Sequence, residues 1–80
     1  MKKFIVELSN YYNWLPLYSQ CVVFEYERFL NIANKNENLK LLPCNDIEQC
    51  WQYHVLCMDF YTKYCVKRFG HLIMYAPIAT

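Results

Sequence analysis

The sequence predicts an all-α fold: a small single-domain bundle of three to four helices with short extended ends. Apolar side chains recur at three- and four-residue intervals over most of the chain, which is the period of a helix buried on one face. The 80 residues include one Gly and three Pro, whereas a meandering β fold needs many tight turns. A chain of this length supports one modest core. We therefore expect a single domain over 1–80, with an N-terminal segment 1–16 and a helical core 17–77.

The sequence of the N-terminal segment does not decide its secondary structure. Residues 2–13 fit either a short helix or a strand, because the apolar run Phe4-Ile5-Val6 suits both. Pro16 disfavours helical geometry at the preceding residue, Leu15. This predicts a break in the chain before residue 17.

A long helix is expected after this break, over residues 17–34. Its apolar stripe consists of Tyr18, Cys21, Val22, Tyr26, Phe29, Leu30 and Ala33. The polar run 34–38 predicts a loop, and residues 39–42 are expected to be extended before Pro43.

Two further helices are expected in the second half of the chain. Asn45 and Glu48 have the spacing of a capping box, and the stripe that follows is Ile47, Cys50, Trp51, His54, Val55 and Met58. Asp59 is expected to cap the last helix, whose inner face would hold Phe60, Tyr61, Tyr64 and Cys65. Lys67 and Arg68 suit the negative end of that helix, and Gly70 suits its C-terminal cap. Residues 72–75 are expected to be extended and packed back.

The cysteines and the first residues indicate the compartment. Five cysteines form an odd set, which fits poorly with a closed framework of disulfides. The apolar run before Glu7 is only three residues long, whereas a secretory signal needs a run of about 7–15. No apolar run approaches the roughly 18 residues of a membrane-spanning helix. We expect reduced thiols, a cytoplasmic location and no membrane partner.

A possible metal site lies on the third predicted helix. Cys50, His54 and Cys57 stand at i, i+4 and i+7 and carry groups that bind zinc. Cys50 and Cys57 would be about 10.5 Å apart along the axis, too far for one tetrahedral ion to take all three. The favoured interpretation is a hydrogen-bonded core histidine among cysteines that act as small apolar residues. We expect no metal and no cofactor, and a metal-binding or redox accessory protein is the first alternative.

Catalysis and nucleic-acid binding have less support. Ser9 and Ser19 lack a Gly-containing nucleophile elbow, and one Gly cannot form a phosphate loop, so we expect no enzymatic activity. The one basic cluster, here called the basic end, consists of Lys63, Lys67, Arg68 and His71. The aromatic residues Tyr64 and Phe69 are interleaved with these basic residues, as in proteins that stack aromatic side chains on the bases of single-stranded nucleic acid. Because the net charge is only +1, nucleic acid is the second alternative.

A pattern covers most of the second half of the chain. It runs Pro43-Cys44, Ile47-Glu48-Gln49-Cys50-Trp51-Gln52, Val55-Leu56, Tyr61, Cys65, Phe69-Gly70 and Met74-Tyr75-Ala76-Pro77. Upstream, Phe24-Glu25-Tyr26-Glu27-Arg28-Phe29-Leu30 is similar to a "F-x-x-F-L" helix. Together these resemble the small glycine-rich-domain-containing-protein-like family, whose short bacterial members lack any glycine-rich part.

The departures from that family imply a degenerate member. The family has His after the Trp and paired His near the C-terminus, whereas this chain has Gln52, Met74 and Tyr75 there. Of the polar centre only Glu48 remains. The resemblance implies that the structural positions are kept, namely Trp51, Leu56, Tyr61, Cys65, Phe69, Gly70 and Pro77. A scaffold that keeps its structural residues while its polar centre is replaced indicates a protein that binds a partner and does not catalyse a reaction.

The aromatic content points to a binding surface. Eight Tyr, five Phe and two Trp are more than so small a bundle buries comfortably, and Tyr and Trp anchor many interfaces. A cluster that we call the N-terminal patch lies at the predicted break: Tyr11, Tyr12, Trp14, Leu15, Leu17 and Tyr18. These side chains either close one end of the core or bind a partner. We expect a non-enzymatic protein-interaction module that self-associates or, as an anti-CRISPR-like inhibitor from a phage or mobile element, occludes a host protein or defence complex.

Overall fold

The computed structural model describes residues 1–36 and 42–74, and this part of the chain forms four helices. They are α1 (Lys2–Tyr12), α2 (Pro16–Lys35), α3 (Asn45–Leu56) and α4 (Met58–Phe69). No strand occurs in the described ranges, so the predicted all-α fold is confirmed. The N-terminal segment, for which the sequence leaves helix and strand open, is helical from Lys2 to Tyr12. Of the extended segments expected at 39–42 and 72–75, residues 39–41 and residue 75 lie outside the described residues.

Helix α2 is central to the packing. It contacts α1 and α3, and α4 packs against α3. All four helices contribute to one hydrophobic core, formed by Phe4, Leu8, Val22, Val23, Tyr26, Leu30, Cys50, Trp51, Tyr61 and Cys65. The segment 1–16 therefore supplies part of this core. No described helix combines the length and the apolar character needed to cross a membrane.

The turn between α1 and α2 is defined by three residues. Asn13 adopts the left-handed conformation, with φ 57°, which Asn tolerates better than most residues. Leu15 is extended, with φ −63° and ψ 140°, and Pro16 begins α2. Proline suits that first position because its missing N–H has no partner in a helix anyway. The predicted break is present.

Two small buried side chains lie where α1 crosses α2. The Ser9 hydroxyl donates to the Ile5 carbonyl at 2.7 Å and lies 2.8 Å from the Ser19 oxygen. Because Ser9 uses its only proton on Ile5, Ser19 is the donor between the two hydroxyls. Both serines are buried, so they satisfy each other within the helix contact.

The starts of α3 and α4 differ from the prediction. Cys44 and Cys57 occupy the N-cap positions, and neither makes a side-chain capping hydrogen bond. Asn45 and Asp59 lie inside the first turns, so the capping box and the Asp59 cap are wrong. Extended backbone at Cys44 (ψ 165°) starts α3 one residue early, and a single residue, Cys57, separates α3 from α4. Gly70 caps α4 with φ 81°, as expected.

The buried faces are rotated relative to the predicted stripes. In α2, Ser19 and Val23 are buried, whereas Tyr18 and Cys21 are exposed, because α1 packs on the Ser19 side. The break between α3 and α4 at Cys57 also changes which side chains are buried. Met58 no longer continues the α3 face and is 70% exposed.

Candidate functional site

The rings of the N-terminal patch form a continuous chain across the α1–α2 turn. Tyr11 and Tyr12 meet edge to face with centroids 4.9 Å apart, and Tyr12 stacks on Trp14 at 4.9 Å and 24°. Trp14 then meets Tyr18 edge to face at 5.3 Å. Tyr53 of α3 joins the other end, 4.7 Å from Tyr11. The rings of the patch, together with Tyr53, thus form one continuous row that links α1, α2 and α3.

The members of the N-terminal patch divide into support and exposed groups. Tyr12 and Trp14 are half-buried against the core, and the Tyr12 hydroxyl donates to the Gln49 carbonyl at 2.9 Å. Burial raises the pKa of Tyr12, so this donor stays protonated. The side chains open to solvent are Tyr11 (58%), Leu15 (76%), Leu17 (77%) and Tyr18 (42%). Tyr12 and Trp14 therefore close one end of the core, and the surface available to a partner is the remaining four residues.

The backbone beneath these four residues is fixed. The amide of Trp14 donates to the Ser9 carbonyl at 2.9 Å, and Pro16 restrains Leu15 in its extended conformation. A surface ordered before binding loses less conformational entropy when a partner arrives. The turn is accordingly well suited to present apolar side chains to a partner.

His54 lies at the centre of the second candidate site. It is fully buried, and its Nδ1 lies 2.7 Å from the Tyr26 hydroxyl. Its Nε2 has no hydrogen-bond partner among the described residues. Burial lowers the pKa of His54 to about 4, so the ring is neutral at pH 7.

Five aromatic rings enclose His54. Their centroids lie 4.9–5.5 Å from the imidazole and belong to Phe4, Tyr26, Phe60, Tyr61 and Tyr64. We call this arrangement the His54 cage. It draws on all four helices, so His54 is a packing centre of the bundle.

The two cysteines grouped with His54 have different environments. Cys50 is buried, and burial raises the pKa of its thiol, which keeps it in the unreactive protonated form. Cys57 is half-buried at the α3–α4 junction. Within 1–36 and 42–74, no three or more His, Cys, Asp or Glu are arranged to hold a metal ion.

The family-like positions form a hydrogen-bonded link between α3, α4 and the chain after α4. The Trp51 indole donates to the Tyr61 hydroxyl at 3.1 Å, which in turn donates to the Ile73 carbonyl at 2.6 Å. Trp51 also packs edge to face on Phe29, with centroids 5.2 Å apart. Cys65, one turn after Tyr61 on α4, is fully buried. These positions act in packing.

The other family-like positions lie nearer the surface. Glu48 is half-buried in the first turn of α3, and Gln52 is exposed. Leu56, expected to be structural, is 65% exposed, and Met74 is 83% exposed. Leu56 is open because the helix ends there and the chain turns away at Cys57. Tyr75 and Pro77 lie outside the described residues.

The basic end is partly offset by an acidic neighbour. Lys63, Lys67, Arg68 and His71 are all exposed. Arg68 lies 3.8 Å from the Glu27 carboxylate and 5.9 Å from the centroid of the Tyr64 ring. The Tyr64 hydroxyl donates to the same carboxylate at 2.7 Å. Arg68 thus takes part in the contact between α2 and α4.

One surface feature was not anticipated from the sequence. The solvent-facing side of α2, which we call the outer face, carries Leu17, Cys21, Phe24, Arg28 and Ile32, all exposed. Cys21 was assigned to the core, and Phe24 was interpreted only as part of a family-like helix. The signal was present in the sequence as a second apolar stripe, seven and eight residues apart at Leu17, Phe24 and Ile32.

Comparison of the chain with known proteins found no family model, no curated protein and no solved structure that matches it. The resemblance to the small glycine-rich-domain-containing-protein-like family therefore stays a prediction.

Proposed function

We propose that this chain is a non-enzymatic protein-interaction module that binds its partner through the exposed part of the N-terminal patch. The observation that carries the proposal is the combination of exposure and support. Leu15 and Leu17 each present about three quarters of their surface to solvent, 76% and 77%. Leu15 follows Trp14 in the chain, and the half-buried Trp14 ring stacks on Tyr12 with centroids 4.9 Å apart.

The physical chemistry of interfaces favours such a surface. Large contiguous apolar patches are uncommon on monomeric proteins and mark sites of interaction when they occur. Binding energy concentrates in a few large anchors, with Tyr and Trp over-represented. Tyr11 and Tyr18 provide two tyrosine anchors beside the leucines, 58% and 42% exposed.

The mode of action we propose is occlusion. A rigid surface that binds without turnover inhibits by covering the partner's own working surface, and the proposed partner is a host protein or a defence complex. We place this activity in a reducing cytoplasm. All five cysteines lie in the described residues and are unpaired, which suits that compartment.

The partner can be identified by a position-specific crosslink. A photo-crosslinking residue placed at Leu15 is compared with one at Val66, which lies on α4 and is 50% exposed. We expect the partner to be captured from Leu15 and not from Val66. Both side chains are apolar and exposed, so the comparison controls for nonspecific capture.

The identified partner is then titrated with variants. Leu15→Asp and Tyr18→Asp should each weaken binding at least about tenfold, because each places a charge in a desolvated contact. Val66→Asp should bind like the wild type. Circular dichroism verifies that every variant is folded.

Two results would replace the proposal with its alternatives. Loss of binding in folded His54→Gln or Cys57→Ser variants, with the patch variants unaffected, would favour a metal or redox role. Loss of binding in a Lys63→Glu/Lys67→Glu variant, with nucleic acid as the captured partner, would favour the basic end.

A further inference from the structure

A cleft of about 160 Å³ opens between α2 and the start of α3. Two thiols, two carboxylates and two aliphatic side chains line it, three from each element: Cys21, Val22 and Glu25 of α2, and Cys44, Asp46 and Ile47. Val22 belongs to the core and Ile47 packs against it, whereas both cysteines are exposed. The fold therefore brings two thiols that are distant in the sequence to one opening at the surface.

These two thiols are the accessible ones of the chain. Cys21 and Cys44 are exposed, while Cys50 and Cys65 are buried and Cys57 is half-buried. Oxidation selects cysteines that solvent can reach. The Cys44 side chain makes no capping hydrogen bond at the start of α3, so turning its thiol towards Cys21 breaks no such bond.

We propose that Cys21 and Cys44 are a redox pair, which a hydroperoxide oxidises to a disulfide across the cleft. The sulfur of one cysteine attacks hydrogen peroxide, the O–O bond breaks, and the departing oxygen leaves as water with the proton of the thiol. The resulting sulfenic acid condenses with the second thiol, which forms the S–S bond and releases a second water. The two thiols lose two electrons, and the peroxide gains them.

The cleft suits a small neutral oxidant. Its volume is several times the roughly 30 Å³ that a water molecule occupies in the liquid, so hydrogen peroxide has room to enter. The carboxylates of Glu25 and Asp46 line the same opening, and Glu25 is paired with Arg28 at 3.3 Å. Such a site does not attract an anion, which favours a peroxide over oxidised glutathione.

The disulfide would close the cleft. Its formation requires Cα atoms within about 4.4–6.8 Å of each other, so the bond holds Cys44, the N-cap of α3, against Cys21 of α2. The bond would also close the chain between these two residues into a loop, which restricts the unfolded state. The site involves neither the N-terminal patch nor His54, so it is independent of the proposed function.

Mass spectrometry of the folded, reduced protein after treatment with hydrogen peroxide tests the pair. We expect the monomer to lose the mass of two hydrogen atoms and the peptides that contain Cys21 and Cys44 to be linked. Cys57→Ser should form the same link, whereas Cys21→Ser should leave Cys44 without a disulfide partner. A different pair, a disulfide between two chains, or separate oxidation of the two thiols without a link would overturn the proposal.

The same treatment of the chain unfolded in urea is the matched control for the fold. There we expect a mixture of disulfides that includes Cys50 and Cys65, because burial no longer protects them. A mixture of the same composition from the folded protein would overturn the proposal.

Thermal unfolding measures the effect of the bond. Oxidised wild type should melt about 8 °C or more above the reduced protein, and dithiothreitol should reverse this shift. Peroxide should produce no such rise in Cys44→Ser. A linked protein that melts no higher than the reduced one would show that the fold opposes the bond, and would overturn the proposal. Failure of the patch proposal would leave all these results unchanged.

Discussion

The His54 cage and the N-terminal patch are both clusters of closely packed rings, but they differ in the hydrogen bonding of their polar atoms. In and beside the cage, hydroxyl groups, the indole N–H and the Nδ1 atom of His54 bond to one another or to the backbone, as in Tyr26–His54 and Trp51–Tyr61–Ile73. In the patch, Tyr12 is anchored to the Gln49 carbonyl, while Tyr11 is 58% exposed. Aromatic content alone therefore does not separate core from surface, whereas the partner of each polar tip does.

The difference predicts that stability depends on the cage region and binding depends on the patch. A ring with bonded polar atoms in the core cannot be removed without leaving a cavity and an unpaired group. An exposed leucine on a fixed turn can be removed at little cost to folding. The following variants test that division.

We expect the largest difference in the free energy of unfolding between the variants Trp51→Ala and Trp14→Ala. Trp51→Ala should lower the free energy of unfolding by about 3–5 kcal/mol, because it empties core volume and leaves the Tyr61 hydroxyl without its donor. Trp14→Ala, in the half-buried part of the patch, should cost roughly 1–2 kcal/mol. Urea unfolding followed by circular dichroism measures both. Equal costs would show that the patch is core and would remove the distinction.

A smaller effect on the free energy of unfolding is expected when the pH is lowered. His54 faces Tyr26 of α2, Tyr61 and Tyr64 of α4 and Phe4 of α1, and none of these is charged near neutral pH. Its pKa is lowered to about 4 by burial, against about 6.5 in an unfolded chain. The unfolded state therefore binds the proton more readily between these values. Stability is complete above about pH 6.5 and falls as the pH drops towards 4, by about 2 kcal/mol between pH 7 and 5.

Unfolding at a series of pH values checks this prediction. His54→Gln removes the titrating group and should reduce the loss of stability between pH 7 and 5 by most of that amount. His71→Gln, which changes an exposed histidine, should retain the wild-type dependence. If both variants behave alike, the acid sensitivity originates elsewhere in the chain.

The smallest effect is expected at the family-like positions that lie on the surface. Gln52→Ala and Leu56→Ala should each change the free energy of unfolding by no more than about 0.5 kcal/mol, since one side chain is exposed and the other is 65% exposed. The same urea titration measures them. A cost near that of Trp51→Ala at either position would reveal a structural role that the burial does not indicate.

The sequence predicts the helices well because their period is local. It does not decide between a helix and a strand for residues 2–13, because the helix there depends on Phe4 and Leu8 packing into a core formed by distant residues. The capping residues were placed one or two positions late because Cys44 and Cys57 occupy the cap positions without any side-chain signature.

The candidate sites are predicted less completely than the helices. The position of the N-terminal patch follows from the break at Pro16, but its division into support and exposed residues depends on the Gln49 carbonyl, 37 positions from Tyr12. The His54 cage likewise needs rings from all four helices. The outer face of α2 was missed because the direction of the core is set by α1, and this direction decides which of the two apolar stripes is buried.

The short contact between Tyr26 and His54 also determines where the imidazole carries its hydrogen. Burial raises the pKa of Tyr26, so its hydroxyl keeps the proton and donates it to Nδ1, 2.7 Å away. The neutral ring is then the Nε2–H tautomer, and this N–H points among aromatic rings, which are weak acceptors. Exchange of that hydrogen with water requires an opening that exposes the buried His54 ring, so its magnetic resonance signal would report on the opening of the core around it.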